Sequence, residues 1–270
     1  MASIIGVGDN VVDKYLDLGL MFPGGNALNV AVLAKRHGAR TAYIGAVGSD
    51  KAGRHICNAL KSEGVDVSHM KVINGPNAYA AVTLKDGDRV FVGGDKGVSF
   101  DFTLTCEDYD FISGFDIIHS SVYSGIENEM KSLKEKARMV SFDFSDKYDD
   151  DYLNEILPYV DFAFFSGSHK SLDEIKYLQR EFSKKGPKLI LITRGAEGAV
   201  LYYNGRYYLQ PSVPAKVVDT LGAGDAFIAC IIVNLLNGKG VEETLNAAAN
   251  AAAETCGHYG AFGYGIKFEN

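Results

Sequence analysis

The feature that most constrains the fold is the alternation of short apolar runs with amphipathic stretches along the chain. Several runs are apolar at successive positions rather than at every second position, as in LILIT at 189–193. Strands that are covered on both faces have this composition, and parallel strands need a crossover between them that is usually a helix. The alternation therefore predicts an α/β fold with a mainly parallel central sheet and right-handed crossovers.

The same patterns predict where the elements lie. Strands are expected at Ser3–Val7, Thr41–Val47, Ile117–Ser120, Met139–Phe144, Phe162–Ser166, Leu189–Thr193 and Ala199–Tyr203, and helices at Ala27–His37, Ala52–Glu63, Leu172–Lys185, Ala223–Leu236 and Glu243–Thr255. Residues 77–92 have the pattern of a β-hairpin with a glycine-containing turn, and 15–22 predict one more extended piece. No repeat or linker is visible, so we predict a single domain, 1–270, with a small β lid formed by about 13–22 and 77–96.

Composition excludes several classes of partner. The formal net charge is −7, which does not favour nucleic acid or an anionic membrane. Apolar stretches are too short to span a bilayer, and the first residues lack the pattern of a secretory signal. The four cysteines lie far apart without metal or redox spacing. We expect a cytoplasmic protein with reduced thiols that acts on a small molecule.

The stretch VVDTLGAGDAF at 217–227 predicts a phosphate site. Gly222 and Gly224 allow backbone angles and close approaches that larger residues forbid. A helical pattern begins near Ala223, so the preceding loop presents free amide groups where the helix dipole favours an anion. An acid that only caps the helix would explain one acid and one glycine. An anion site formed by the loop and faced by Asp225 explains the whole GAGD grouping.

Two motifs carry a resemblance to a known family. They are DTLGAGD at 219–225 and GGNALNVAV at 24–32, with RHG at 36–38 and GAVGSDKAG at 45–53 following the second. In residues and in order they resemble the two signatures of the ribokinase-like (PfkB) carbohydrate kinases, and the resemblance extends over essentially the whole chain. It implies a three-layer ribokinase-like fold and ATP-dependent transfer of the γ-phosphate to a primary hydroxyl of a sugar.

Other segments narrow the expected substrate. GDNVVD at 8–13, DRVF at 88–91, EDY at 107–109, DIIH at 116–119 and FDFSDK at 142–147 resemble the branch of the family that converts fructoselysine to fructoselysine 6-phosphate. Another sugar or a nucleoside remains an alternative substrate. A non-catalytic sugar or nucleotide sensor is a further alternative, although a pure binder has no use for the acid of the GAGD motif. A dinucleotide oxidoreductase is disfavoured because the first strand is not followed by GxGxxG.

The resemblance also implies roles for individual residues. Asp225 would be the catalytic base, and the amides around Gly222, Ala223 and Gly224 would stabilise the transferred phosphoryl group. Asp13, Gly25, Asn26 and Asn29 would bind the sugar hydroxyls, with His119 as a further substrate contact. Arg89 and Lys96, on or after the hairpin, would neutralise an anionic part of the substrate or the phosphates. The alternatives are N-capping by Asn26, an exposed loop acid at Asp13, a strand-end His119 and a solvated Arg89.

Nucleotide, metal and partner expectations complete the hypothesis. The resemblance places the nucleotide near Thr193, Gly195, Gly198 and Asn250, for which a β-turn and a core helix are the alternatives. Mg²⁺ should bridge the phosphates, but the family's Asn-x-x-Glu motif is replaced by SGSH at 166–169. Asp143 and Asp146 are candidate outer acids, with an exposed turn as the alternative. Asp219 either helps to hold a monovalent cation or caps its loop. Free hairpin edges predict a homodimer through the lid.

Overall fold

A computed structural model describes residues 1–85 and 88–268, except the side chains of 84–89. The strands are β1 Ser3–Val7, β2 Val11–Tyr15, β3 Leu20–Gly24, β4 Arg40–Ile44, β5 Ala46–Gly48, β6 Lys71–Ile73, β7 Tyr79–Lys85, β8 Asp88–Asp95, β9 Ile117–Ser121, β10 Val140–Asp143, β11 Phe162–Ser166, β12 Leu189–Thr193, β13 Ala199–Tyr203, β14 Arg206–Gln210 and β15 Ile266–Lys267. The α-helices are α1 Asn26–Arg36, α2 Lys51–Ser62, α3 Cys106–Ser113, α4 Met130–Lys136, α5 Asp150–Ile156, α6 Leu172–Ser183, α7 Ala223–Leu236 and α8 Val241–Thr255.

The central sheet has the order β14-β13-β12-β11-β10-β9-β1-β4. Its strands from β12 to β4 pair in parallel, whereas β13 and β14 are antiparallel additions at one edge. The carboxyl ends of β1, β9, β10, β11 and β12 therefore meet along one side of the sheet. In open parallel sheets this is the side where ligands bind.

Neighbouring residues of one strand enter different cores, which shows that helices cover both faces of the sheet. Ile4 belongs to the core that includes helices α1, α2, α7 and α8, and Ile5 to the core that includes α3, α4, α5 and α6. Ile190 and Leu191 of β12 divide in the same way. This explains why the strands are apolar at successive positions, and the predicted three-layer α/β architecture is confirmed.

A second sheet of order β15-β3-β2-β7-β8 lies beside the first. Its core contains Tyr15, Phe22 and Val82, with the ring centroids of Tyr15 and Phe22 5.2 Å apart. The expectation of one extended piece over 15–22 is wrong, because the chain turns between β2 and β3. Leu18 N donates to Tyr15 O at 3.1 Å, and Gly19 at the turn has φ 62°.

The predicted strand at Thr41–Val47 divides into β4 and β5 at Gly45. A Cβ at Gly45 would lie 2.1 Å from the hydroxyl of Tyr43 and 2.5 Å from the carbonyl oxygen of Gly8, so a close backbone approach interrupts the strand. Strands β5 and β6 form a separate two-stranded sheet. Among the described residues, no helix has the length and apolar character to cross a membrane.

Candidate active site

Helix α1 begins at the edge of the central sheet. A carboxylate that follows strand β1 in sequence caps its N-terminus. Gly25 precedes the helix with φ 114°, and its own position offers no side-chain acceptor. Asp9 supplies the acceptors instead: Oδ2 accepts from Asn26 N at 2.6 Å and Oδ1 from Ala27 N at 3.2 Å. The hydroxyls of Ser121 and Ser124 also donate to this buried carboxylate. The side chain of Asn26 is thereby left available for other contacts.

Asn26 connects two carboxylates and a histidine. Its Nδ2 donates to Asp225 Oδ1 and to Asp143 Oδ2, each at 2.7 Å, and its Oδ1 lies 2.9 Å from His119 Nε2. The two carboxylates require the amide nitrogen on their side, so the orientation of the amide is determined by its partners. The alternative in which Asn26 only caps α1 is wrong.

The carboxylate of Asp225 is held by two amide groups. Asn29, one turn after Asn26, donates from Nδ2 to Asp225 Oδ2 at 2.7 Å. Asp225 is in the first turn of α7, but no side chain accepts a hydrogen bond from that helix N-terminus. The acid therefore does not cap its own helix, and its oxygen atoms are directed toward α1.

Burial together with neighbouring acids raises the pKa values of this cluster. Removal from water, with repulsion from Asp143 and Asp9, raises the pKa of Asp225 to about 8 against the opposing hydrogen bonds from Asn29 and Asn26. The pKa of Asp143 is raised to about 6, mainly by burial, with repulsion from Asp9 and Asp146 as a smaller cause. A carboxylate with a pKa near neutrality can both accept and release a proton, as a general base requires.

His119 lies behind Asn26 rather than at the surface. Its side chain is fully buried, and its Nδ1 lies 2.7 Å from Ser141 Oγ. Burial lowers the pKa of His119 to about 3, so the ring is neutral and Nε2–H donates to Asn26 Oδ1 while Nδ1 accepts from the serine. This placement supports the orientation of Asn26. The direct contact of His119 with substrate stays a prediction.

The N-terminus of α7 has the backbone expected of an anion site. Gly222 precedes it with φ 79°, and a Cβ there would lie 2.6 Å from the Cα of Ala261. At Gly224 a Cβ would have no neighbour within 4 Å, so the backbone is open to a ligand. Ala223 N donates to Thr220 O at 3.3 Å, whereas the amides of Gly224 and Asp225 have no acceptor within the helix. Free donors, the helix dipole and open space beside Asp225 together suit a phosphate.

Asp219 joins three segments that are far apart in sequence. Its Oδ1 accepts from Leu221 N at 3.0 Å, and its Oδ2 accepts from Gly260 N at 3.0 Å and from the hydroxyl of Tyr15. The carboxylate is buried and its oxygen atoms already have these donors. Asp219 therefore holds the glycine loop in its conformation.

The remaining candidates lie around this cluster. Asp13 is buried in β2, with a carboxylate oxygen 2.4 Å from where a Cβ of Gly24 would be. Thr193 ends β12 and donates to Phe165 O at 3.3 Å, whereas Asn250 is exposed on α8 and donates to Asn246 O at 2.8 Å. The side chain of Arg89 lies outside the described residues, so its prediction stays untested.

The two glycines of the β12–β13 connection differ in their surroundings. Gly195 has φ 57° and open space at its Cβ position. Gly198 has φ 89°, and a Cβ there would lie 2.0 Å from Gln210 O of β14. Gly198 is therefore needed for the turn itself, while Gly195 leaves its backbone free for a ligand.

Sequence reasoning missed Asp9 and Asn10. Asn10 is buried and donates from Nδ2 to Ala46 O at 2.6 Å and to Tyr43 Oη at 3.0 Å. The available signal was their position directly after the first strand, at the carboxyl edge where parallel sheets place their functional side chains. No group of three or more His, Cys, Asp or Glu side chains within 1–85 and 88–268 is arranged to hold a metal ion.

Comparison with known proteins identifies the family. Residues 19–263 match the model of the pfkB family carbohydrate kinases. The chain is 47% identical to fructosamine kinase FrlD of Bacillus subtilis (strain 168), over 98% of this chain and 95% of that protein. It is 33% identical to fructoselysine 6-kinase of Escherichia coli (strain K12), over 97% of this chain and all of that protein.

Solved structures agree on the fold. Arabidopsis thaliana ribokinase complexed with ribose and ATP superposes with a TM-score of 0.82 at 24% identity, covering 97% of this chain and 95% of that one. An uncharacterized sugar kinase from Pyrococcus horikoshii in complex with ATP has a TM-score of 0.76 at 26% identity, covering 96% and 94%. The ribokinase-like fold predicted from the two signatures is confirmed, and the chain belongs to the PfkB family of carbohydrate kinases, phosphotransferases with an alcohol group as acceptor.

Proposed function

We propose that the protein transfers the γ-phosphoryl group of ATP to the 6-hydroxyl of fructoselysine. The observation that carries this proposal is the Asp225 carboxylate, held between Asn26 and Asn29 at the open N-terminus of α7. The names of the two relatives, a fructosamine kinase and a fructoselysine 6-kinase, support the choice of substrate. Kinases acting on another sugar or a nucleoside are the alternatives that a substrate panel must separate.

In this mechanism the amides of Asn26 and Asn29 orient the carboxylate of Asp225 toward the acceptor. Asp225 takes the proton of the attacking hydroxyl as the new oxygen–phosphorus bond forms and the bond from the γ-phosphorus to the bridging oxygen breaks, with ADP as the leaving group. The amides around Gly222 to Gly224 stabilise charge on the transferred group, since phosphoryl transfer depends chiefly on positioning and electrostatics. Asp13, whose carboxylate lies against Gly24, and Gly25, which precedes Asn26, would contact the sugar.

The nucleotide would lie along the carboxyl ends of β11 and β12. Support comes from Thr193 at the end of β12 and from Gly195, whose Cβ position is open. Gly198 would then act by shaping the connection, and Asn250 by presenting an exposed amide on α8. We place the reaction in the cytoplasm, where ATP is available and where the four cysteines, all free thiols, would stay reduced.

Mg²⁺ fits this site as an ion held mainly by phosphates and water. It binds through few carboxylates in such enzymes, and it would neutralise charge on the phosphates. Asp143 is suited to assist, because it ends β10 and shares Asn26 with Asp225. Asp219 was a candidate either for a monovalent cation or for capping its loop. Its contacts favour capping of the loop, because the carboxylate already accepts hydrogen bonds from three donors.

Removal of the carboxylate at Asp143 tests its part in magnesium use. We expect the activity to disappear on chelation of Mg²⁺, and Asp143→Asn to raise the Mg²⁺ concentration for half-maximal rate about tenfold, the usual scale for loss of a group that supports a metal. Asp110→Asn is the matched control, because that acid is exposed on α3. An unchanged Mg²⁺ titration for Asp143→Asn would exclude this role.

A substrate panel tests the proposed function. Purified protein with ATP and Mg²⁺ is given fructoselysine, fructose, ribose, a nucleoside and a set of other fructosamines, and ADP formation is measured. We expect the kcat/KM for fructoselysine to exceed that for fructose and ribose by at least about a hundredfold, because loss of a bound substrate portion costs a few kcal/mol. Equal rates across the panel would reject the substrate assignment while leaving the kinase class intact.

We also propose a homodimer through the outer face and edge of the second sheet. Strand β8 is an edge of this sheet, and Val90, Phe91 and Val92 expose 40%, 61% and 53% of their surface. Exposed apolar edge strands tend to be covered. We expect a dimer in analytical ultracentrifugation that Val92→Lys shifts toward monomer, whereas Val72→Lys, at a valine of β6 that exposes 66% of its surface, leaves it unchanged. A monomeric wild-type protein at micromolar concentration would contradict the proposal.

A further inference from the structure

A cavity of about 260 Å³, open to solvent, lies where strands β2 and β7 of the second sheet begin and β8 ends. Its wall includes Asn10 after β1, Tyr79 of β7, Asp95 at the end of β8, and Lys96 and Phe100 beyond it. Pockets for whole small-molecule ligands usually measure about 300–1,000 Å³. The cavity is therefore suited to one portion of a ligand whose remainder is bound elsewhere.

Asn10, which lines the cavity, lies against Gly25 of the predicted sugar site. A Cβ at Gly25 would lie 2.6 Å from the Cα of Asn10, so the two backbones are in contact. Gly25 is followed by Asn26, whose amide donates to Asp225 at 2.7 Å. The hydrogen bonds of Asn10 to Ala46 O and Tyr43 Oη hold this part of the wall in place. One residue of the cavity wall thus contacts the segment that carries Asn26, the amide partner of Asp225.

The lining combines aromatic surface with one charge of each sign. Lys96 Nζ lies 5.1 Å from the ring centroid of Phe100. Asp95 Oδ1 accepts from Gly97 N at 2.7 Å, which orients the carboxylate. Both side chains are exposed to solvent in this structure, so a charged ligand can reach them without displacing packed atoms.

We propose that this cavity is the subsite for the amino-acid portion of the substrate and recognises a zwitterion. Lys96 binds the α-carboxylate, Asp95 binds the α-ammonium group, and Tyr79 and Phe100 line the path of the alkyl chain. Oppositely charged partners at fixed positions select a ligand end by its charge pattern more than by its contact area. The inference rests on the proposed function, because it presumes a sugar joined to an amino acid.

The test removes one charge from the substrate and its partner from the protein. The substrates are fructoselysine, fructose joined to 1,5-diaminopentane, which lacks the carboxylate, and fructose joined to 6-aminohexanoate, which lacks the ammonium group. Fructose joined to pentylamine lacks both. The variants are Lys96→Met and Asp95→Asn, with Lys131→Met and Asp101→Asn, exposed positions outside the cavity wall, as controls.

We expect each variant to lower kcat/KM only for substrates that carry the charged group its lost side chain would bind. Lys96→Met should lower kcat/KM about tenfold for fructoselysine and the aminohexanoate conjugate, and Asp95→Asn about tenfold for fructoselysine and the diaminopentane conjugate. The effect of each variant should vanish for the conjugate that lacks its partner group. Circular dichroism should show the folded protein in every case.

The outcomes separate failure of the subsite from failure of the function. Equal losses on all substrates for Lys96→Met and Asp95→Asn, or no loss on any, would overturn the subsite while leaving a fructosamine kinase. Wild-type protein that phosphorylates none of the four conjugates but accepts another sugar would overturn the proposed function and the subsite together. Only the crossed pattern of losses supports the inference.

Discussion

Asp225→Asn is expected to lower kcat by about two to four orders of magnitude while the protein remains folded, the scale of rate loss when a general base is removed. Asparagine has the same shape but cannot take the hydroxyl proton. It also places an amide NH₂ against one of the two amides, of Asn26 and Asn29, that now donate to the carboxylate. Steady-state kinetics with ATP and fructoselysine measure the loss.

Two controls show whether the loss is chemical. Binding of ATP, measured by calorimetry, should change little, because the first-turn amides of α7 do not depend on the carboxylate. Asp110→Asn, which removes an exposed acid on α3, should keep the wild-type rate. A turnover for Asp225→Asn within about threefold of wild type would remove Asp225 from the role of base.

The raised pKa of Asp225 makes the rate depend on pH in a definite direction. The base acts when ionised, and its pKa is about 8 in the free protein. Below pH 8 we therefore expect kcat/KM to rise about tenfold per pH unit and to level above it. His119 should add no inflection between pH 5 and 9, because its pKa is about 3. A flat profile over this range would contradict the assignment.

The same shift affects stability. In the unfolded chain Asp225 loses its proton near its ordinary pKa of 3.8, whereas in the folded protein it keeps it up to about 8. The folded state therefore binds more protons between these values, and its stability from this group is complete below about pH 4 and is lost as the pH rises toward 8. We expect Tm to fall between pH 5 and 8, and to fall less steeply in Asp225→Asn.

Gly222→Ala and Gly224→Ala should separate the contribution of the glycine loop to stability from its contribution to phosphate binding. At Gly222 a Cβ would lie 2.5 Å from the Cβ of Ala261, in a backbone with φ 79°. Left-handed strain and the clash together should cost about 2–4 kcal/mol, which is a fall in Tm of several degrees and a loss of activity. Differential scanning calorimetry measures the first effect.

Gly224→Ala should behave in the opposite way. Its Cβ would meet no atom within 4 Å, and alanine is the better helix former, so stability should be unchanged or slightly higher. The added methyl occupies the space where we propose the phosphoryl group approaches, and we expect kcat/KM to fall at least about tenfold. Full activity of Gly224→Ala would mean that no ligand approaches this backbone.

The long elements were predictable because burial on both faces leaves a simple pattern. Helix α7, Ala223–Leu236, and strands β1 and β12 lie where the apolar runs indicate. The short helices α3, α4 and α5 were missed, since seven or eight residues give too little periodicity. The N-terminus of α3 nevertheless carries a local signal, the capping box of Thr105 and Asp108.

The site was predictable where one segment carries the chemistry, and less so where contacts join distant segments. The GAGD motif predicts a helix N-terminus with an acid from local rules alone. Its connection to Asp143 and His119 through Asn26 depends on the order of β9 and β10 in the sheet, which short sequence patterns do not reveal. Pairing of distant residues is a property of topology, and only the fold displays it.

The carboxylate of Asp219 has a consequence for how ligands affect one another. Since it accepts hydrogen bonds from Tyr15, Leu221 and Gly260 at once, none of these segments can move away without leaving the buried carboxylate short of a donor. The sheet that carries Tyr15 and the loop that begins α7 should thus shift together. Sugar binding on one side should then tighten nucleotide binding on the other. Thermodynamic reciprocity requires that the nucleotide tighten sugar binding by the same factor.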